Sequence, residues 1–250
     1  MAQQASLIVL FAASLLAGAQ NALAGGGSFV TLPALLLAGL DPRAANVTST
    51  VALFPGQVLS GWAGRRLVKG TSGLSFQALC LVSLAGGAIG AALLLATPAT
   101  FFARLMPWLV LFATGVFTWG SFLRRSASSA RRLGAVPAGV VQFLIAIYGG
   151  YFGGGIGFLM LAALTAAGLA VRSAGATKNV LAAVMNLSAL LIFLWSPDVH
   201  WGPAVVVCVA AIIGGLIGAW LLQLVPERVL RGGIIVVGAA LTIGLFLRPV

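Results

Sequence analysis

Acidic residues are nearly absent from this 250-residue chain, which has three Asp and Glu against fourteen Lys and Arg and a formal net charge of +11. Charged residues of all kinds make up 7% of the sequence, whereas a soluble domain carries roughly a quarter. The three carboxylates, Asp41, Asp198 and Glu227, and the single histidine, His200, all fall in predicted loops. Proton relays in membrane pumps normally use carboxylates or histidines inside the bilayer, so a carboxylate-based relay is disfavoured. An intramembrane protease, a metal enzyme and a cation pathway are disfavoured for the same reason. The two cysteines, Cys80 and Cys208, lie in apolar stretches without CxxC spacing. They offer neither a disulfide framework nor a zinc site. No catalytic residue, metal or cofactor is expected.

What the chain has in abundance is apolar sequence. It is 61% hydrophobic with a mean hydropathy of +1.13, and the apolar residues come in blocks of about twenty, the length of a membrane-crossing helix. A β-barrel would need alternating ten-residue strands. The expectation is an all-α polytopic membrane protein with about ten hydrophobic helices, over residues 5–23, 28–40, 45–63, 74–96, 101–123, 134–152, 156–170, 175–195, 202–224 and 228–247. The basic residues gather in a few loops, as topology setting against a lipid bilayer requires, so no nucleic-acid partner is expected. The N-terminal run ending at Ala22, Leu23 and Ala24 imitates a signal peptide. It lacks a basic start and has a similar stretch later in the chain, and reads as a retained first helix.

That later stretch is part of an internal repeat. The segment AGGGSFVTLPALLLAGLDPRAANVTST at 24–50 is answered from residue 153 by GGGIGFLMLAALTAAGLAVRSAGATKN. At an offset of 129, Gly25 and Gly26 meet Gly154 and Gly155, Phe29 meets Phe158, Gly39 meets Gly168 and Thr48 meets Thr177. At 128, Cys80 meets Cys208, Gly86 and Gly87 meet Gly214 and Gly215, and Pro98 meets Pro226. Residues 1–123 form the first repeat, 124–133 a basic linker and 134–250 the second repeat. Arg65, Arg66 and Lys69 and the linker mark the cytoplasmic side, and 97–100 and 196–201 the other. Equivalent loops thus face opposite sides, the inverted-topology arrangement of secondary transporters. Parity holds with five crossings per half, or with re-entrant hairpins at 5–40 and 134–170.

The glycine runs carry the functional reading. Gly86, Gly87 and Gly90, and Gly214, Gly215 and Gly218, suit close helix packing in lipid. Gly25, Gly26 and Gly27, and Gly153, Gly154 and Gly155, point all round a helix and weaken it by about 1 kcal/mol each, so both helices should break there. Half-helix N-termini after a break offer N–H donors and partial positive charge to an anion. The next helix in each half adds polar side chains: Asn46, Thr48, Ser49 and Gln57 in the first, Thr177, Lys178, Asn179 and Asn186 in the second. Thr48 to Thr50 could equally begin a helix at the interface, and Lys178 could snorkel to the surface. The glycines and these eight side chains together are the candidate substrate-binding set.

The paired glycine segments, the Leu32-Pro33-Ala34 that follows the first, and the Ala/Thr/Ser-rich starts at 44–49 and 173–178 resemble the TauE/SafE (sulfite exporter) family of membrane proteins. The resemblance covers nearly the whole chain. Departures are Ala162 where the first half has Pro33, and Lys178 where a small polar residue is common. The resemblance implies a multi-pass protein of the bacterial inner membrane that moves sulfite, an organosulfonate or another small sulfur-containing anion, by export. A homodimer is compatible with it. The readings kept beside it are a permease for another small anion or solute, a transmembrane thiol-redox carrier using Cys80 and Cys208, and a membrane scaffold without transport.

Overall fold

A computed structural model of the chain describes residues 2–23, 26–71, 73–119, 134–221 and 227–247. The segment 124–133 and Gly25 lie outside these. Among the described residues there is no strand. The helices are α1 (Ala2–Leu23), α2 (Ser28–Leu37), α3 (Pro42–Gly64), α4 (Phe76–Ala96), α5 (Ala99–Thr118), α6 (Ala135–Tyr151), α7 (Ile156–Ala166), α8 (Val171–Phe193), α9 (Trp201–Leu221) and α10 (Glu227–Leu247). Helices α4, α5 and α8 are long and apolar enough to cross a membrane by length and composition.

Helix ends follow local chemistry. α3 starts earlier than the sequence pattern suggests because Asp41 caps it, its carboxylate accepting from the N–H groups of Arg43 and Ala44, with Pro42 in the first turn. α2 and α7 stop earlier than expected, each at a glycine of positive φ: Gly39 at 94° and Gly168 at 99°. Leu40 N–H then donates to Leu35 O and Leu169 N–H to Leu164 O, both at 3.1 Å. This closes the same Schellman motif at equivalent points of the two halves.

The halves also pack as equivalents. α1 lies along α9 as α6 lies along α4, and α3 and α8 cross each other at the centre. Arg43 at the start of α3 meets Asp198 just beyond α8. Thr177 near the start of α8 meets Lys69 just beyond α3. The two central helices are therefore antiparallel. Gln57 and Asn186, 129 positions apart, hydrogen-bond to each other at 2.6 Å. Contact between equivalent residues lies on the pseudo-two-fold axis.

One end of the molecule thus carries Arg43, Thr97 and Asp198. The other carries Arg65, Arg66, Lys69 and Arg172, and the start of α6, where Gly73 packs on Ala135. With 10 and 11 residues, α2 and α7 are each about 15 Å long, half of a ~30 Å bilayer core. Each returns the chain to the end at which the next central helix starts. The segments 2–37 and 135–166 are thus helical hairpins, each pairing a longer helix with one too short to cross a bilayer core.

Small residues let these hairpins sit close. A Cβ added to Gly86 would lie 2.6 Å from the Ala146 Cβ, and one on Gly18 or Gly214 would strike the carbonyl of Ala211 or Leu15. Gly215 departs from the packing expectation, since among the described residues an added Cβ there would meet nothing nearer than Gly18 O at 3.7 Å. The surroundings of Gly218 lie outside the described residues. The apolar core divides into a cluster around Phe102, Phe193 and Leu35 and a second around Leu79, Met160 and Met185.

Candidate functional site

Both glycine runs break their helices. α1 ends at Leu23 and α2 begins at Ser28, and α6 ends at Tyr151 and α7 begins at Ile156. The turns use left-handed backbone at equivalent positions, Gly26 with φ 90° and Gly155 with φ 76°, where any side chain costs about 1–2 kcal/mol. Gly155 is also pressed against the neighbouring helix, an added Cβ falling 2.9 Å from Ala113 Cβ. Gln20 steadies the first tip by donating from Nε2 to Gly26 O at 3.0 Å, so a carbonyl freed by the break is met inside the protein, as a membrane interior demands.

The two tips meet. A Cβ on Gly153 would sit 4.0 Å from Ser28 Oγ, and one on Gly155 3.5 Å from the Phe29 ring. Beside this junction lies a narrow cavity of about 30 Å³, above the ~10–15 Å³ that one water needs. Its walls are Asn21 from α1, Gly26 and Ser28 from the first tip, Gly153, Ile156 and Gly157 from the second, Gln57 and Ser60 from α3, and Lys178, Asn179 and Ala182 from α8. The first turns of α2 and α7 both border it, bringing two half-helix N-termini to one place. One cationic side chain, hydroxyls and amides face them, and no carboxylate is among the described lining residues. Such a donor set suits an anion. Lys178 is 6% exposed, so it forms part of the wall instead of snorkelling to the surface.

A second space, of about 390 Å³, shares Asn21, Ser60 and Asn179 with the first. It runs between α1, α3 and α9 to Gly64, Leu67, Arg172 and Ala176, making a vestibule toward the basic end.

Of the residues expected from sequence, Gly26, Gln57, Gly153, Lys178 and Asn179 line the central cavity. Asn186 sits behind it, donating to Gln57, and its Oδ1 is buried with no hydrogen-bond partner among the described residues. Gly27, Gly154 and Gly155 shape the tips. The others are engaged elsewhere. Asn46 Nδ2 donates to Tyr151 O at 3.1 Å, tying α3 to the end of α6. Ser49 Oγ and Thr31 Oγ1 share a hydrogen bond of 2.6 Å between α3 and α2. Thr48 Oγ1 donates to Asp198 O and accepts from His200 N–H, at 3.2 and 3.1 Å. Its counterpart Thr177 donates to Lys69 O and accepts from Lys69 N–H, both at 3.0 Å. These threonines pin each central helix to the loop that follows its partner.

Sequence reasoning missed Asn21, Ser28 and Ser60. Asn21 and Ser28 flank the first glycine run, and Ser60 follows Gln57 by three residues, on one helical face; both signals were available.

The chain is similar along almost its full length to proteins named as probable membrane transporters. It is 29% identical over 238 residues to the probable membrane transporter protein YfcA of Escherichia coli (strain K12), covering 94% of this chain and 87% of that one. It is 26% identical to a probable membrane transporter protein of Haemophilus influenzae, covering 94% and 92%, and 28% identical to the probable membrane transporter protein ORF9 of a Sinorhizobium species, covering 97% and 93%. No solved structure is significantly similar to it. The family described as sulfite exporter TauE/SafE matches residues 10–245, and the chain, a membrane transporter, belongs to that family.

Proposed function

We propose that the protein moves a small sulfur-containing anion, sulfite or an organosulfonate, out of the cell across the bacterial inner membrane. Alternating access takes place around the junction of the two hairpin tips. The observation that carries this reading is the convergence of both α-helix N-termini, Lys178, Asn179 and Gln57 on one carboxylate-free cavity. Under the positive-inside rule the basic end, with Arg65, Arg66, Lys69 and Arg172, is cytoplasmic. The vestibule then opens to the cytoplasm, where an exported anion enters. With a potential negative inside, moving one negative charge outward is favourable by about 2.3 kcal/mol per 100 mV, enough to drive export without a coupled ion. Alternating access requires the tips to part, and their glycine turns are where they can hinge.

Flux of radiolabelled sulfite or sulfoacetate from proteoliposomes tests this. Uptake should depend on the wild-type protein and be lost on Lys178→Ala or Asn179→Ala while expression persists; unchanged flux in both variants would remove the site. The thiol-carrier reading is weakened by the placement of the cysteines. Cys80 packs with the cluster around Leu79 and Met185, and Cys208 with the one around Phe102 and Phe193. A Cys80→Ser/Cys208→Ser protein should keep full flux.

A further inference from the structure

The end of the molecule opposite the vestibule is closed by a contact that has no counterpart among the described residues of the basic end. Arg43 Nη2 donates to Asp198 Oδ1 at 3.2 Å with Nε 3.0 Å from Oδ2, and Nη1 donates to Thr97 O at 3.0 Å. The pair is largely shielded, the side chains being 22% and 14% exposed. It joins the start of α3, the α4–α5 turn and the α8–α9 loop, and Tyr151 OH, at the end of the second hairpin's inward limb, donates to Thr97 Oγ1 at 3.3 Å. At an offset of 129, the position equivalent to Arg43 is Arg172. Arg172 is exposed and lines the open vestibule. The positions equivalent to Asp198 are Lys69 and Gly70, neither of them a carboxylate.

We propose that the Arg43–Asp198 pair, seated on Thr97, is an ionic gate that holds the outer side shut, and that Arg43 is the outer counterpart of Arg172. While the cavity faces the basic end, Asp198 occupies Arg43. When the outer side opens, the pair parts and Arg43 faces the exit path, as Arg172 faces the entry path now. Among the described residues the basic end shows no such pair, and the Arg43–Asp198 contact biases the protein toward the state seen here. Thr97 and Ser196 hydrogen-bond to the pair, and the Asp41 carboxylate, two residues before Arg43, is occupied with the α3 N-terminus.

This inference rests on the alternating-access reading, and its test separates the two. In a Cys80→Ser/Cys208→Ser background, single cysteines are placed at Val47, buried behind the gate, or at its repeat equivalent Ala176 on the vestibule wall. Labelling with a membrane-impermeant maleimide is measured from each side. With the gate intact, Ala176→Cys should label from the cytoplasmic side and Val47→Cys should not label from outside. Asp198→Asn should raise outside labelling of Val47→Cys at least about fivefold, the lower bound for a typical coupling. The reversed pair, Arg43→Asp with Asp198→Arg, should restore protection. Unchanged labelling in Asp198→Asn protein that remains monodisperse overturns the gate. Flux measured on the same preparations decides the other reading. A labelling shift without flux of any anion keeps the gate and removes the transport assignment, and flux without a labelling shift does the reverse.

Discussion

Gly87 and Gly215 occupy equivalent positions in the two halves but different surroundings. A Cβ on Gly87 would fall 2.6 Å from both Met185 O and Ser188 Oγ, because α4 is packed hard against α8. Among the described residues a Cβ on Gly215 would meet only Gly18 O at 3.7 Å, and Gly215 borders the vestibule between α9 and α3. The same small residue seals one side and leaves the other open. Arg43 and Arg172 differ in the same sense, one held by Asp198 and the other exposed. Two nearly equivalent halves thus adopt unequal packings, and the inequality decides which end the central cavity faces. In an inverted repeat, exchanging the two packings turns the opening to the other side.

The largest effect should come from the one buried charge in the cavity wall. Replacing Lys178 by Ala removes a charged donor whose interactions are worth about 1.5–3 kcal/mol, so anion flux should fall roughly 10- to 100-fold. Its repeat equivalent Ser49, bonded to Thr31 away from the cavity, should tolerate Ala with flux within about threefold. Equal losses at both positions would erase the distinction between the halves. Next come the two glycines. Gly87→Ala must overpack α8 and should cost about 1–3 kcal/mol of stability, whereas Gly215→Ala should stay within about 0.5 kcal/mol. Thermal unfolding in detergent measures the difference, and similar costs would show that the open vestibule does not persist in solution.

Smaller effects sharpen the points at which the halves agree. Gly26→Ala and Gly155→Ala each force a side chain into left-handed backbone, at about 1–2 kcal/mol. Gly155→Ala should be the worse, since it meets Ala113 on a helix while Gly26→Ala meets a movable Phe29 ring. Thr48→Val and Thr177→Val should each destabilise by about 1–2 kcal/mol and by similar amounts, each losing two backbone partners.

Much of this fold was legible because its signals are local. Runs of apolar residues gave ten helices, adjacent glycines gave the breaks, and the offset of 129 gave the pairing that Gln57 and Asn186 realise on the axis. Within the site, Lys178 and Asn179 could be found because polar residues are rare in apolar helices. Thr48 and Thr177 looked identical to binding residues from sequence. Their partners lie in loops 150 and 108 residues away, and no local pattern reports such pairings. The Arg43–Asp198 contact spans 155 residues and was invisible for that reason. The difference between Gly87 and Gly215 had no sequence signal, since it depends on which of two packings the same repeat adopts.

The central claim is that an anion binds where the two hairpin tips meet. Its most direct test is the midpoint of thermal unfolding of purified wild-type and Lys178→Ala protein, titrated with sulfite, sulfate, sulfoacetate and taurine. A ligand bound only by the folded state raises the midpoint with its concentration. The account predicts that sulfite or sulfoacetate raises it for the wild type and leaves the Lys178→Ala protein unmoved. An equal rise in both proteins, or none in either, would contradict it.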